Sequence, residues 1–377
     1  MKTNVKKFFK ILMPVVGVGV VSCGIVFVSG CLVQTPLVSL GGSTAVLPLI
    51  NALSPYIDFI DVVTSAGGSG VGISSIIDGT KEIGIASTHP DILSLGLDNA
   101  KYQIWDEKRV KTVTIAWDGI VLVYKPSSNS ANANVIINEE NLAKIYHAFS
   151  GDKQFKLGDL LNNNDETIIV PYARNGGSSV SGTTEAFFKD SHLNYKDSPY
   201  WKSLESLDHN QVDNITNAIT NGGYGPNVIQ TAESNSQAWN VAKNGPEGSF
   251  VYLSAGFVIN NIEEIQKYGF KVALYSNQEI SPLEPGAIAN TYNWYRPLNL
   301  MYSMTHVKNI PEIPRMIAWI LFNEQAKQII NNEGYVPLSE TSLKSMGWNG
   351  NLNDMSFLTN DSPEGTYDVK LGYSGAK

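Results

Sequence analysis

Residues 65–70 read Ser-Ala-Gly-Gly-Ser-Gly, and they lie between an apolar β-branched run at Val62–Thr64 and a helical run at Val71–Ile77. A strand, a glycine-rich turn and a helix form the repeating unit of α/β proteins with parallel strands. Two further segments of this kind occur, Gly41-Gly42-Ser43-Thr44 at residues 41–44 and RNGGSSVSGT at residues 174–183. We call them the first (41–44), second (65–70) and third (174–183) segments.

Each segment precedes a predicted helix, so it places backbone N–H groups, hydroxyls and the positive end of a helix dipole at one point. Such donors can saturate a tetrahedral oxyanion, and Arg174 in the third segment can add a bidentate, charge-assisted pair. Glycine lets the backbone approach the oxygens closely. Taken singly, such a segment is more often a plain turn or an N-cap. Together they predict an anion cage, and phosphate fits this description.

The length and composition limit the remaining possibilities. A chain of 377 residues is too long for one core and predicts two lobes. With 43% hydrophobic and 16% charged residues, the chain is not mainly disordered. The formal net charge of -8 disfavours nucleic acid as a partner and a polybasic membrane patch. The two cysteines lie within the first 31 residues, so the body has no disulfide or thiolate metal cluster.

The N-terminal residues 1–31 predict a signal peptide or membrane anchor. Four lysines precede the run Ile11–Gly30, which has 20 residues and no charge. The run ends in Val-Ser-Gly-Cys, which resembles a lipobox with Cys31 as the lipidated residue; Cys23 follows a rival match. The other alternative is an uncleaved transmembrane helix. Each alternative predicts a protein on the extracellular face of the cell membrane, tethered to it.

The body alternates apolar β-branched runs with helical runs, which predicts an α/β fold with largely parallel sheets. The residues after Met346 are rich in Gly, Asn, Asp and Ser and predict a loosely packed tail. The candidate strands are Val62–Thr64, Ile83–Ala86, Lys111–Ile115, Ile120–Tyr124, Thr167–Val170, Ser249–Leu253, Lys271–Tyr275 and Leu298–Tyr302. The candidate helices include Asn138–Phe149, Ile262–Tyr268 and Pro311–Asn331.

Several stretches resemble, in order, the substrate-binding subunit of phosphate ABC transporters. They are GGSTAVLPLI at residues 41–50, GGSGVGISSIIDGTKEIGIAS at 67–87, WDGIVLVYKP at 117–126, NEENLAKIYHAFSG at 138–151, and the later GSFVYLSAGFV, RPLNLMY and GYVPL. The resemblance covers about Ser39 to Pro337. The ordered set is specific, although no single stretch is.

The resemblance implies a two-lobed type II periplasmic-binding-protein fold, a Venus-flytrap with two hinge crossings. Lobe I would comprise residues 37–117 plus 297–377, and lobe II residues 118–296. It also implies a phosphate-binding lipoprotein that passes its ligand to the permease and ATPase subunits of an ABC importer. Such a protein is not an enzyme and needs no cofactor or metal.

Carried over by position, the resemblance implies a set of phosphate ligands. They are Ser43, Thr44, Ser69, Arg174, Ser181, Gly182 and Thr183. Ser87 belongs to the expected phosphate ligands too, at a position where the family usually has an aspartate that accepts the phosphate proton and repels sulfate. The serine hydroxyl can also accept a hydrogen bond, but it brings no repulsive charge. We hypothesise that Asp118 supplies the carboxylate instead. The spacing from Arg174 to Ser181 is longer than usual, so either Ser178 or Ser179 joins the cage or the loop bulges outward.

Three alternative functions remain open at the level of sequence. The chain could bind another oxyanion, such as sulfate or molybdate. It could be a phosphatase or hydrolase with Ser181 as nucleophile, although no GxSxG motif occurs. It could also be a surface adhesin on the same fold. The five histidines show no metal-binding spacing.

Overall fold

A computed structural model of the protein describes residues 35–87, 110–205, 209–284 and 287–359. The predicted signal peptide and both cysteines, Cys23 and Cys31, lie outside the described residues. The described residues belong to one compact unit. Among the helices of the described ranges, none combines the length and the apolar character needed to cross a bilayer.

The described residues form twelve strands and sixteen α-helices. Strands β1 to β12 are Leu37–Gly42, Asp61–Ala66, Ile83–Ala86, Val110–Tyr124, Ile136–Ile137, Val170–Arg174, Ile229–Thr231, Ser249–Ser254, Lys271–Val272, Leu274–Tyr275, Tyr295–Ser303 and Val336–Pro337. Helices α1 to α16 are Leu47–Leu53, Ser69–Asp78, Glu139–Ser150, Leu157–Leu161, Gly182–Lys189, Pro199–Glu205, His209–Asn221, Asn235–Ala242, Ala255–Asn260, Ile262–Lys267, Ala287–Asn290, Met304–Asn309, Glu312–Phe322, Glu324–Asn332, Glu340–Ser345 and Ser356–Thr359.

Strand β4 connects the two halves of the main sheet, whose order is β2-β1-β3-β11-β4-β8-β6-β7. Residues 110–119 of β4 pair with β11, and residues 120–124 pair with β8. Strand β1 runs parallel to its neighbours β2 and β3, and strand β6 runs parallel to its neighbours β7 and β8. The pairs of β4 with β11 and β8 are antiparallel, so each half is mixed and not largely parallel as predicted.

The buried apolar residues separate into the cores of two lobes. The largest cluster draws on residues 38–60, 83–85, 113–116 and 298–358. Two other clusters lie entirely between Ile120 and Trp294. The chain therefore has the two-lobed α/β architecture of a type II binding protein, with β4 and the start of β11 as the crossings. The predicted lobe boundaries at 117/118 and 296/297 lie within this transition, and they stay a prediction.

Several local predictions differ from the structure. The two strands predicted on either side of Trp117 form one strand, because β11 and β8 hydrogen-bond its successive halves. The strand predicted at Thr167–Val170 instead begins at Val170. The predicted helix Pro311–Asn331 is interrupted at Asn323, whose side chain caps the second helix.

The C-terminal region is better packed than its composition predicts. Trp348, Phe357 and Leu358 are buried in the core of lobe I. Tyr302 donates its hydroxyl hydrogen to the Leu358 carbonyl oxygen at 2.9 Å. The prediction of a loose tail after Met346 is therefore wrong as far as residue 359, because three large apolar side chains pack into this core.

Glycines allow β1, α2 and β3 to approach each other closely. Gly42 has φ of +134°, in the region that favours glycine. A Cβ atom on Gly42 would overlap the Ile85 carbonyl oxygen and lie 2.6 Å from Gly72 Cα. This close approach brings the ends of β1 and β3 beside the first turn of α2.

We predict that Gly42→Ala lowers the free energy of unfolding by about 2 kcal/mol or more, because the methyl group meets backbone that cannot move aside. Urea unfolding followed by circular dichroism measures this. The matched control is Gly70→Ala, since no atom lies within 4 Å of a Cβ there and alanine favours the helix. Equal unfolding midpoints for the two variants would contradict the prediction.

Candidate anion-binding site

Three buried serine hydroxyls meet at one edge of the lobe I sheet. Ser43 follows β1, Ser87 follows β3, and Ser69 begins α2. Ser43 Oγ donates to Ser87 Oγ at 2.8 Å, and Ser69 Oγ lies 3.5 Å from Ser87 Oγ. The Ser87 N–H donates to Ser69 Oγ at 3.1 Å. Because β1 and β3 are parallel neighbours, their carboxyl ends bring these hydroxyls together.

The backbone joins the first and second segments directly. The N–H groups of Gly67 and Gly68 both donate to the Gly42 carbonyl oxygen at 2.9 Å. Gly68 caps α2 with φ of 85°, a conformation that glycine adopts without strain. The first segment also follows a strand, β1, which the sequence did not predict.

The third segment lies in lobe II, and it contacts these lobe I hydroxyls through Gly182, the first residue of α5. A Cβ atom there would lie 2.5 Å from Ser69 Oγ and 2.8 Å from Ser87 Oγ. Ser181 is the N-cap, and its Oγ accepts a hydrogen bond from the Thr184 N–H at 3.0 Å. The predicted residues Ser69, Ser87, Ser181 and Gly182 therefore come together, and glycine makes the close contact possible.

The residues between Arg174 and Ser181 form a loop whose backbone is held by α7. The Ser178 N–H donates to the Ile219 carbonyl oxygen at 2.8 Å, and the Ser179 N–H donates to that of Thr220 at 3.0 Å. Ile219 and Thr220 lie in the last turn of α7, so this loop caps the helix C-terminus. The two alternatives for this loop, a further ligand at Ser178 or Ser179 and an outward bulge, both stay predictions.

Arg174 ends β6, and its side chain is fully buried. Nη1 donates to Thr231 Oγ1 at 3.3 Å, while Nη2 donates to Asn235 Oδ1 at 3.0 Å and to the Tyr252 carbonyl oxygen at 3.2 Å. Nε has no hydrogen-bond partner. Burial lowers the pKa of Arg174. In the described ranges its hydrogen-bond acceptors are uncharged, although the nearby Glu233 carboxylate favours its charged form. An anion would find one free donor at Nε.

Arg296, in β11, is a second fully buried arginine that the sequence analysis did not assign to the site. Its Nε and Nη2 donate to Asp118 Oδ2 at 3.0 and 2.9 Å, and its Nη1 donates to Thr183 Oγ1 at 3.1 Å. Asp118 and Arg296 are cross-strand partners in β4 and β11. Arg296 therefore links the hinge strands to the first turn of α5. The signal in the sequence was that Arg296 is the one charged residue of a largely apolar strand.

Asp118 already has several partners within the protein. Its Oδ1 accepts a hydrogen bond from Ser254 Oγ at 2.7 Å, and its Oδ2 accepts both bonds from Arg296. Burial raises the pKa of Asp118, and the charge of Arg296 opposes that effect. The hypothesis that Asp118 accepts a ligand proton stays a prediction. It would require Asp118 to exchange one of these bonds for the ligand.

Glu233, between β7 and α8, is the second residue of the site that the sequence analysis missed. Its Oε2 atom is buried without a hydrogen-bond partner. Burial raises the pKa of Glu233, whereas Arg174, the Ser181 hydroxyl and Arg296 favour its ionised form. No motif in the sequence distinguishes Glu233 from a surface residue, because its environment comes from elements distant in the chain.

An open cavity of about 540 Å³ adjoins these residues at the edge of the cleft. Lobe I and lobe II both contribute, with polar side chains on the lobe II side. The lining residues are Thr44, Ala66, Gly67, Glu233, Ser234, Ser236 and Gln237. Thr44 lines this cavity, and its role as a phosphate ligand stays a prediction. Within the described ranges, no three His, Cys, Asp or Glu residues are grouped so that they could hold a metal ion.

The fold and this hydroxyl-lined cleft define a two-lobed protein of the binding-protein class. A profile of the PBP superfamily domain matches residues 33–324, which is more than half of the chain. The chain therefore belongs to the PBP superfamily.

Individual relatives agree with this assignment. An uncharacterised lipoprotein of Mycoplasma genitalium is 32% identical over 362 residues, 89% of each chain. A protein from Clostridium perfringens, described as a phosphate ABC transporter substrate-binding protein with bound phosphate, superposes with a TM-score of 0.55 at 19% identity, covering 80% of this chain and 100% of its own. An ABC-type phosphate transport receptor from Vibrio cholerae superposes with a TM-score of 0.50 at 19% identity. The match covers 80% of this chain and 100% of the receptor chain. At such identities the solved structures establish the shared fold.

We predict that Asp118→Asn lowers the free energy of unfolding by about 3–5 kcal/mol, because it leaves the buried Arg296 without its charged partner. Chemical unfolding at neutral pH measures this loss. The control is Glu340→Gln, which removes an exposed ion pair between Glu340 Oε1 and Lys344 Nζ at 2.7 Å. This variant should leave the unfolding midpoint nearly unchanged. A wild-type midpoint for Asp118→Asn would be inconsistent with a stabilising pair.

Proposed function

We propose that this protein captures inorganic phosphate between its lobes. The observation that supports this most strongly is the contact of Gly182 with Ser69 and Ser87, because it directs donors from both lobes to one point. The nearby Thr183 hydroxyl is held by Arg296 at 3.1 Å. A ligand at that point would touch both lobes.

The chemistry of the site suits a small dianion. Serine hydroxyls and backbone N–H groups at the start of α5 are uncharged donors, and Arg174 supplies a positive charge with a free Nε. Burying an anion without hydrogen bonds and an opposite charge is strongly unfavourable. The Arg174 charge offsets this cost locally, although the whole chain has a net charge of -8.

We further propose that phosphate binding favours a closed state that delivers the ligand to the permease and ATPase subunits of an ABC importer. A ligand that contacts both lobes stabilises the closed arrangement by its differential contacts. Lipidation at Cys31 would hold the protein on the extracellular face of the membrane. The lipoprotein relative from Mycoplasma genitalium supports this anchoring.

Another oxyanion is the second candidate ligand. The family that this chain resembles usually has an aspartate at the position of Ser87. Because serine has no carboxylate, we expect weaker exclusion of sulfate. Sulfate and molybdate are therefore the competitors to compare with phosphate.

The deciding experiment is isothermal titration of the full-length protein in detergent micelles with phosphate, sulfate and molybdate. We expect saturable binding of one phosphate per chain and no turnover of a generic phosphate ester. Tighter binding of sulfate or molybdate would instead support the second candidate. Binding of none of the three anions would refute the proposed function.

We predict that Arg174→Ala weakens phosphate binding by roughly tenfold to a hundredfold, because a charged hydrogen bond contributes about 1.5–3 kcal/mol. Titration calorimetry provides the affinity. Arg315→Ala is the control, since Arg315 is exposed and its guanidinium carbon lies 3.9 Å from the centre of the Phe59 ring. An Arg174→Ala protein with near-native affinity would rule out the cage.

We predict that Gly182→Ala also weakens phosphate binding, by about tenfold, because its methyl group would press against the Ser69 and Ser87 hydroxyls. The same titrations measure the effect. Gly223→Ala is the matched control in lobe II, since its Cβ would meet no atom within 4 Å. Unchanged affinity in Gly182→Ala would mean that the three segments do not meet around the ligand.

A further inference from the structure

Two buried polar atoms at the candidate site have no hydrogen-bond partner: Arg174 Nε and Glu233 Oε2. The other two such atoms among the described residues are the indole nitrogens of Trp201 and Trp239, which pack in the lobe II core. Unpaired buried polar atoms are rare in native proteins. The site thus combines one free donor with one free acceptor.

The segment that carries Glu233 is tied to the Arg174 side chain on both sides. Arg174 donates to Thr231, two residues before Glu233, at 3.3 Å, and to Asn235, two residues after it, at 3.0 Å. Glu233 also lines the cavity together with Thr44 of lobe I. The carboxylate therefore lies beside the guanidinium and faces the cleft.

The surroundings of Glu233 contain several polar and charged groups. Burial raises its pKa, and the groups that favour its ionised form are Arg174 in β6, the Ser181 hydroxyl and Thr183 N–H at α5, and Arg296 in β11. The Tyr252 phenol in β8 also faces this carboxylate. An ionised carboxylate here repels any anion that enters the cleft, unless a proton is shared between them.

We infer that Glu233 determines which oxyanion the site accepts, an inference that rests on the proposed function. Its Oε2 accepts a hydrogen bond from an anion that carries a proton, while Arg174 Nε donates to another oxygen of the same anion. Hydrogen phosphate offers both an O–H group and acceptor oxygens. Sulfate at neutral pH offers acceptors alone, so Glu233 repels it.

Glu233 fits this role better than Asp118 does. Asp118 directs its oxygens to Arg296 and Ser254. Ser87 can accept a hydrogen bond but has no charge with which to repel sulfate. Glu233 has both a free oxygen and a negative charge when ionised.

The test compares phosphate and sulfate affinities of the full-length protein with those of Glu233→Gln. We expect the preference for phosphate over sulfate to fall at least about tenfold, because glutamine removes the repulsive charge. Glu263→Gln is the matched control, since it removes the same charge from an exposed position in lobe II and should keep the wild-type preference. Glu233→Asp retains the charge and should still disfavour sulfate, and thermal unfolding checks that each variant is folded.

Sulfate affinity as a function of pH gives an independent measurement, because sulfate itself does not titrate near neutral pH. Protonation of Glu233 removes its repulsion, so wild-type affinity for sulfate should rise as pH falls, by up to about tenfold per pH unit. In Glu233→Gln the affinity should stay flat. A merely structural role for Glu233 would not produce this difference.

The outcomes separate this inference from the function on which it rests. Phosphate binding by the wild type, with an unchanged anion preference in Glu233→Gln, overturns the role of Glu233 and leaves the proposed function standing. An equal gain in affinity for both anions also overturns it, since Glu233 would then compete with any anion. If neither protein binds either anion, the phosphate-binding function fails, and this inference fails with it.

Discussion

Asp118 and Arg296 form a fully buried ion pair at the place where the lobes share β4 and β11. Removing two charges from water is costly, and the pair is tolerable because other groups satisfy its remaining atoms. Ser254 donates to Asp118, and Arg296 donates to Thr183. The pair thereby fixes the crossing strands and holds the first turn of α5 in place. The arrangement of donors in the cleft depends on this connection.

A second connection links this pair to Arg174. Asn235 Oδ1 accepts hydrogen bonds from Arg174 Nη2 and from the Ser254 N–H, at 3.0 and 3.2 Å. Through Ser254 the network continues to Asp118 and Arg296. The two guanidinium groups are close enough for the charge of Arg296 to lower the pKa of Arg174. Arg296 is paired with the Asp118 carboxylate, whereas Arg174 donates to neutral acceptors and has the Glu233 carboxylate beside it. The net charge around Arg174 therefore depends on whether Glu233 is ionised.

Local sequence patterns predicted many elements, and the errors have a common cause. Ile83–Ala86 is a strand as predicted, because its short apolar run is buried and bounded by polar residues. The strand break at Trp117 was wrong, because pairing with β11 keeps the chain extended through Asp118 and Gly119. Such pairing involves residues more than 170 positions apart, which local propensity does not register.

The sequence by itself determined the class of fold and the three glycine-serine segments, because strand, turn and helix patterns are local in the chain. It also identified Arg174 as the cation of the third segment. The tertiary structure alone placed Gly182 against Ser69 and Ser87, committed Asp118 to Arg296, and brought Glu233 beside Arg174. These relations depend on the packing of distant elements, and burial then decides which polar atoms find partners and which remain free.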